Sequence, residues 1–133
     1  MTPVLLDTVG PIALWDEDDQ WHELAATAFA RLLKDGRHLS VTTLVLYECG
    51  NAAARRPYRT DVDDLRETMQ AQGRLIDAMA ADLTGAWAAY RAGQAGQAGI
   101  VDRVSFAVMR RLGITEAFTN DRYFAAAGFT PLF

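Results

Sequence analysis

Residues 99–124, GIVDRVSFAVMRRLGITEAFTNDRYF, decide how the rest of the chain is read. Asp102 opens an amphipathic helix predicted over 101–112, a short apolar segment follows at 115–119, and Asp121 comes just after it. Read as helix, loop and buried strand, the stretch puts one carboxylate at a helix N-terminus and another past the carboxyl end of a strand. In an open parallel sheet, strand ends and the starts of the helices that follow share one edge, where such sheets carry their sites. Other acids at these two kinds of address would meet Asp102 and Asp121 there.

Two more acids occupy them. Asp7 ends the apolar run Val4-Leu5-Leu6, a predicted buried parallel strand over 3–8, and Thr8 adds a hydroxyl beside it. A second strand is predicted at 38–42. Thr43 then caps a helix to about residue 56, where Pro57 stops it. Glu48 lies on that helix, with Asn51 and Arg55 at i+3 and i+7 on its face. Four carboxylates at one edge would repel one another strongly without cations. Their oxygen-only chemistry suits Mg²⁺ or Mn²⁺. Zinc is disfavoured, because His22 and His38 are the only histidines and Cys49 is the only cysteine. Two such ions about 3.5–4 Å apart would activate a water and steady the leaving oxygen of a phosphodiester, with no covalent enzyme intermediate.

Between these segments the pattern alternates. A short helix is predicted at 10–16 and a longer one from 18 or 19 to 34, where Asp35-Gly36 ends it. Another runs over 60–73, with Asp61, Asp63 and Asp64 in its first turn. A strand at 75–79, a helix at 82–92, a Gly-Gln-Ala loop at 93–99, helical turns at 121–127 and a last strand at 129–133 complete the reading. Alternating strands and helices over 133 residues predict one α/β domain, residues 1–133, with a mainly parallel sheet covered on both faces.

Half the residues are hydrophobic and 23% are charged, an ordinary composition for a folded soluble protein. No apolar run is long enough to cross a bilayer, and Asp7 falls where a signal peptide would have its apolar core, so a cytoplasmic protein without membrane contact is expected. The net charge of −4 gives no overall electrostatic footprint for nucleic acid. An acid cluster awaiting cations would itself make the chain acidic. Twelve of the 13 basic residues are arginine. Cys49, in a predicted helix, reads as a small buried hydrophobe. Trp15, Trp21 and Trp87 each fall where a core face is expected, and His22 is assigned to packing or hydrogen bonding beneath the loop at 16–19. Ser105 has no His and acid partners for a nucleophile and is assigned to helix packing or a hydrogen bond near the site.

The opening VLLDTVGPIALWDEDDQWHE, the helix TTLVLYECGNAAARR, the block VDRVSFAVMRRLGI and the closing TNDRYFAAAGF together resemble a PIN-domain ribonuclease, in particular the small VapC-like toxins of toxin–antitoxin pairs. The resemblance implies a three-layer α/β fold and metal-dependent hydrolysis of RNA. It makes Asp7, Glu48, Asp102 and Asp121 the metal-centred acids, with Asp7 and Asp102 the principal ligands and Thr8 and Thr119 supporting hydroxyls. It also implies a homodimer and an antitoxin partner whose peptide lies near the active site. Many relatives carry Ser or Thr where this chain has Val101, and a small residue where it has Arg103. Arg103 is expected either to bind a substrate phosphate or to pair with an acid. Arg55, Arg103 and Arg122 are the candidates for RNA phosphate contacts, and Arg110 and Arg111 lie with Arg103 on the polar side of the late helix. Two other readings stay open: a PIN-like protein that binds RNA or scaffolds without cleaving, and a metal-dependent phosphoesterase for a small phosphate compound. The second is weakened because Asp7-Thr8-Val9 lacks the second acid of a DxD phosphotransferase.

Overall fold

The computed structural model describes residues 2–133. Five strands form one parallel sheet: β1 (Val4–Leu6), β2 (Leu39–Thr42), β3 (Leu75–Ile76), β4 (Glu116–Phe118) and β5 (Thr130–Pro131), in the order β3-β2-β1-β4-β5. Seven helices cover it: α1 (Val9–Trp15), α2 (His22–Lys34), α3 (Thr43–Ala53), α4 (Arg59–Ala71), α5 (Ala80–Ala92), α6 (Ile100–Leu112) and α7 (Arg122–Ala126).

The period of two along β1 divides the core. Val4 and Leu6 point into the apolar layer beneath α1 to α4, with Val41, Val45, Leu46 and Phe118. Leu5 points the other way, to Phe106 and Met109 of α6 and Phe124 of α7. All of these side chains are nearly or fully buried, so the sheet is a dry middle layer between two helical ones. From β1 the chain proceeds outward to β2 and β3, then returns to the other side of β1 as β4. The carboxyl ends of β1 and β4 are therefore the point where strand order reverses, the place at which open α/β sheets leave a crevice. Gly10, in the first turn of α1, lies so close to the Phe118 carbonyl and ring that a Cβ there would overlap both. That contact seats α1 against β4 beside the crevice.

Several boundaries differ from expectation for local reasons. α2 starts at His22, because the Asp16 and Asp19 carboxylates accept from the Asp18 and Trp21 amides (3.0 and 2.8 Å) and hold residues 16–21 in turns. α5 starts two residues before Asp82, whose carboxylate accepts from the Met79 amide at 2.8 Å. α3 ends at Ala53, and the strands placed at 75–79 and 129–133 are only two residues each. Two of the three tryptophans are not core: Trp21 is 40% and Trp87 56% exposed, while Trp15 is half-buried against Tyr58. Helical spacing places a residue on a face, but only the neighbouring elements determine whether that face is covered. His22 donates through Nδ1 to the Ala13 carbonyl at 2.8 Å, bracing the loop between α1 and α2.

Candidate metal centre

The register of β1 against β4 pairs Leu5 with Ala117 and Leu6 with Phe118, so Asp7 comes level with Thr119 as both strands end. Thr119 Oγ1 donates to Asp7 Oδ2 at 2.8 Å and accepts from the Asp121 amide at 3.1 Å. One hydroxyl thus orients the first acid and the backbone that carries the last. Asp121 caps α7, its Oδ1 accepting from the Tyr123 amide at 2.8 Å. Asp102 enters from the other side in the first turn of α6. Ligand oxygens of Asp7, Asp102 and Asp121 lie within 4.8 Å of one another.

Glu48 joins these three in lining an open cavity of about 280 Å³, together with Thr8, Val9, Gly99, Ile100 and Val101. It stands outside the three-acid group, held by a hydrogen bond from Thr8 Oγ1 to its Oε1.

Electrostatics at this edge are unfavourable without a cation. Burial pushes the Asp7 carboxyl up to about 6, against the hydrogen bonds from Thr119 and Thr8, and the charges of Asp121 and Glu48 add to the rise. Asp102 is pushed up to about 7, by burial first and then by Asp7, Asp121 and Glu48. Burial first, then the charges of Asp7 and Glu48, push the Cys49 thiol up to about 12, so it is an inert core residue. Asp7 Oδ1 is buried and has no hydrogen-bond partner. A buried carboxylate oxygen left unpaired, in a donor set made only of oxygens, is what Mg²⁺ or Mn²⁺ would complete. The residues present fit such an ion.

The other sequence candidates fall elsewhere. Asn51 and Arg55 are exposed and line a separate depression with Arg56, so neither borders the acid cavity. Arg122 is exposed and lies over the Tyr123 ring, 5.2 Å from its centroid. Arg103 corrects the expectation most sharply. It is 3% exposed and makes no ion pair with an acid among the described residues. Its guanidinium donates instead to the carbonyls of Ala89, Gln94, Gly96 and Ala98. Arg103 therefore belongs to the buried side of α6, and Arg111, which grips Asp82 of α5, is an ion-pair partner between helices. Ser105 is buried without a hydrogen-bond partner, so it packs and does not bond a site residue. The Arg103 arrangement was missed because its signal is indirect: an arginine between Asp102 and Val104 on a helix otherwise buried nearly all round, after a glycine-rich loop with carbonyls to satisfy.

Residues 4–130 match the PIN domain family. Among solved structures, the chain is similar to the VapC20 toxin of Mycobacterium tuberculosis, described as cleaving the sarcin–ricin loop, with a TM-score of 0.80, 25% identity and 96% of each chain covered. No curated protein matches it in sequence. The family match runs from the start of β1 to the first residue of β5 and includes every acid of the cavity, and on it the chain belongs to the PIN domain family.

Proposed function

We propose that this protein is a metal-dependent ribonuclease that hydrolyses RNA phosphodiester bonds as the toxin of a toxin–antitoxin pair. The observation that carries the reading is the unpaired, buried Asp7 Oδ1 beside Asp102 and Asp121 at the strand-order reversal of a PIN domain. Similarity over almost the whole length of a toxin that cleaves RNA supports the substrate class and the antitoxin.

Asp7 and Asp102 would be the principal ligands of Mg²⁺ or Mn²⁺, with Asp121 completing the group and Glu48 acting from the cavity wall. When bound, the ion would acidify an attacking water and neutralise charge on the phosphate. Thr119 fixes the Asp7 carboxylate, and Thr8 fixes Glu48 through Oε1, leaving Oε2 to take a proton or hold a water. Arg55 and Arg122, both exposed, are the arginines proposed to reach RNA phosphates flanking the cut. Among the described residues no helix is long and apolar enough to cross a membrane. A homodimer working in the cytoplasm is part of the same proposal.

The test is cleavage of a mixed RNA pool with Mg²⁺, with Mn²⁺ and with chelator, beside an Asp7→Asn protein prepared identically. Metal-dependent cleavage that disappears in the variant is expected. RNA binding without cleavage under any condition would transfer the protein to the binding or scaffolding class, and turnover of a small phosphomonoester with RNA left intact would make it a phosphoesterase.

A further inference from the structure

We propose that Arg103 is a positioning residue for the metal centre: it clamps the loop at 93–99, and through that loop sets where Asp102 stands. The inference rests on the metal-dependent reading above.

The loop GQAGQAG turns sharply, with Gly93, Ala95 and Gly96 all at positive φ (69, 55 and 69°). Such a segment turns several carbonyls inward, where they have no strand or helix to accept from. Arg103 supplies the donors. Nε bonds the Ala98 carbonyl at 2.8 Å, one terminal nitrogen bonds the Ala89 carbonyl at 3.0 Å and the Gln94 carbonyl, and the other bonds Gly96 at 2.9 Å. Four of the five guanidinium N–H groups are used, on one helix end and three loop residues. Ala89 is in the last turn of α5, so the cation also sits at the negative end of that helix. The Tyr90 ring lies 5.8 Å from the guanidinium carbon and closes the pocket. No carboxylate among the described residues pairs with it, and the buried charge is met by four carbonyl dipoles and the Tyr90 ring.

The clamped loop is also a wall of the acid cavity. Gly99 lines it with the four acids and is the N-cap of α6, three residues before Asp102. Asp102 and Arg103 are adjacent on one helical turn, with the first directed to the cavity and the second to the loop that frames it. A loose loop would leave Gly99 and the start of α6 free to move, and with them the carboxylate. Supports of this kind typically alter metal affinity by about 10 to 100-fold.

The experiment compares the native chain with Arg103→Met and Arg103→Lys. It measures backbone order parameters at 94–99 by NMR relaxation, Mn²⁺ affinity by calorimetry, and the melting temperature. In Arg103→Met, the loop order parameters are expected to fall from about 0.85 to below about 0.6, and the Mn²⁺ dissociation constant to rise at least about tenfold. Lysine keeps the charge and the fold but cannot span four carbonyls with a planar fork, so Arg103→Lys is expected to shift both readouts in the same direction by less. It decides the question if Arg103→Met does not fold. Unchanged loop order in Arg103→Lys and in any folded Arg103→Met would overturn the clamp. A loosened loop with unchanged Mn²⁺ affinity would overturn its link to the site. Failure of the native protein to bind Mn²⁺ would overturn the metal reading, and this inference with it.

Discussion

Replacing Asp7 by Asn should abolish cleavage and, without metal, make the protein more stable. Asp7 is 1% exposed, and its carboxyl is pushed up to about 6 from 3.8 by burial, then by the charges of Asp121 and Glu48. A raised folded-state value means that the ionised form is disfavoured by folding. The resulting loss of stability is absent below about pH 4, grows as the pH rises towards about 6, and is constant above that. At about 1.4 kcal/mol per pH unit, the penalty at pH 8 is of order 3 kcal/mol. Asparagine is nearly isosteric and uncharged: its carbonyl can still accept from Thr119, and its amide can donate towards the neighbouring carboxylates. For a chain of this size the gain is roughly 10 °C in melting temperature. The assay is thermal unfolding of both proteins from pH 4 to 8 in chelator, then with excess Mn²⁺. The variant should melt higher at pH 8, the gap should close near pH 4, and Mn²⁺ should raise the native protein selectively. A variant melting at or below the native protein at pH 8 without metal would refute the reasoning. So would a gap that does not depend on pH.

Other perturbations have effects of known sign. Gly10→Ala would push a methyl into the Phe118 carbonyl and ring, and a loss of about 1–3 kcal/mol in urea unfolding is expected; an unchanged midpoint would mean that α1 shifts freely on β4. Asp82 is held below the usual carboxylate range by its hydrogen bond to Arg111, so the α5–α6 bridge contributes stability above about pH 4 and loses it as the pH falls. Asp82→Asn should lower the melting temperature at pH 7, by an amount that shrinks progressively as the pH falls below about 4. Arg55→Ala and Arg122→Ala should each weaken RNA binding and reduce the slope of log affinity against log salt by about one, leaving the melting temperature unchanged. An unaltered salt slope in both would remove these arginines from the RNA path.

The alternation of apolar runs and amphipathic segments was enough to read a parallel α/β sheet, because buried strands such as Val4-Leu5-Leu6 and helices such as 101–112 have different hydrophobic periods. Acids placed just after strands or at helix starts could be assigned to one edge for the same reason. Turn chemistry was less legible. The carboxylates of Asp16 and Asp19 compete with the helix for backbone amides, and so they delay α2 to His22.

Sequence by itself determined the order of elements, which follows from local periodicity, and it marked Asp7, Glu48, Asp102 and Asp121 as candidates by where each falls along its own segment and by the resemblance to PIN-domain ribonucleases. Only the tertiary structure decided that Asp7, Asp102 and Asp121 approach within 4.8 Å while Glu48 turns to Thr8, that Trp21 and Trp87 face outward, and that Arg103 is buried among four carbonyls. The spacing of residues along a helix or strand sets the direction of a side chain. What it meets depends on elements distant in the chain, and the β1–β4 register joins residues 112 positions apart in the Thr119–Asp7 hydrogen bond.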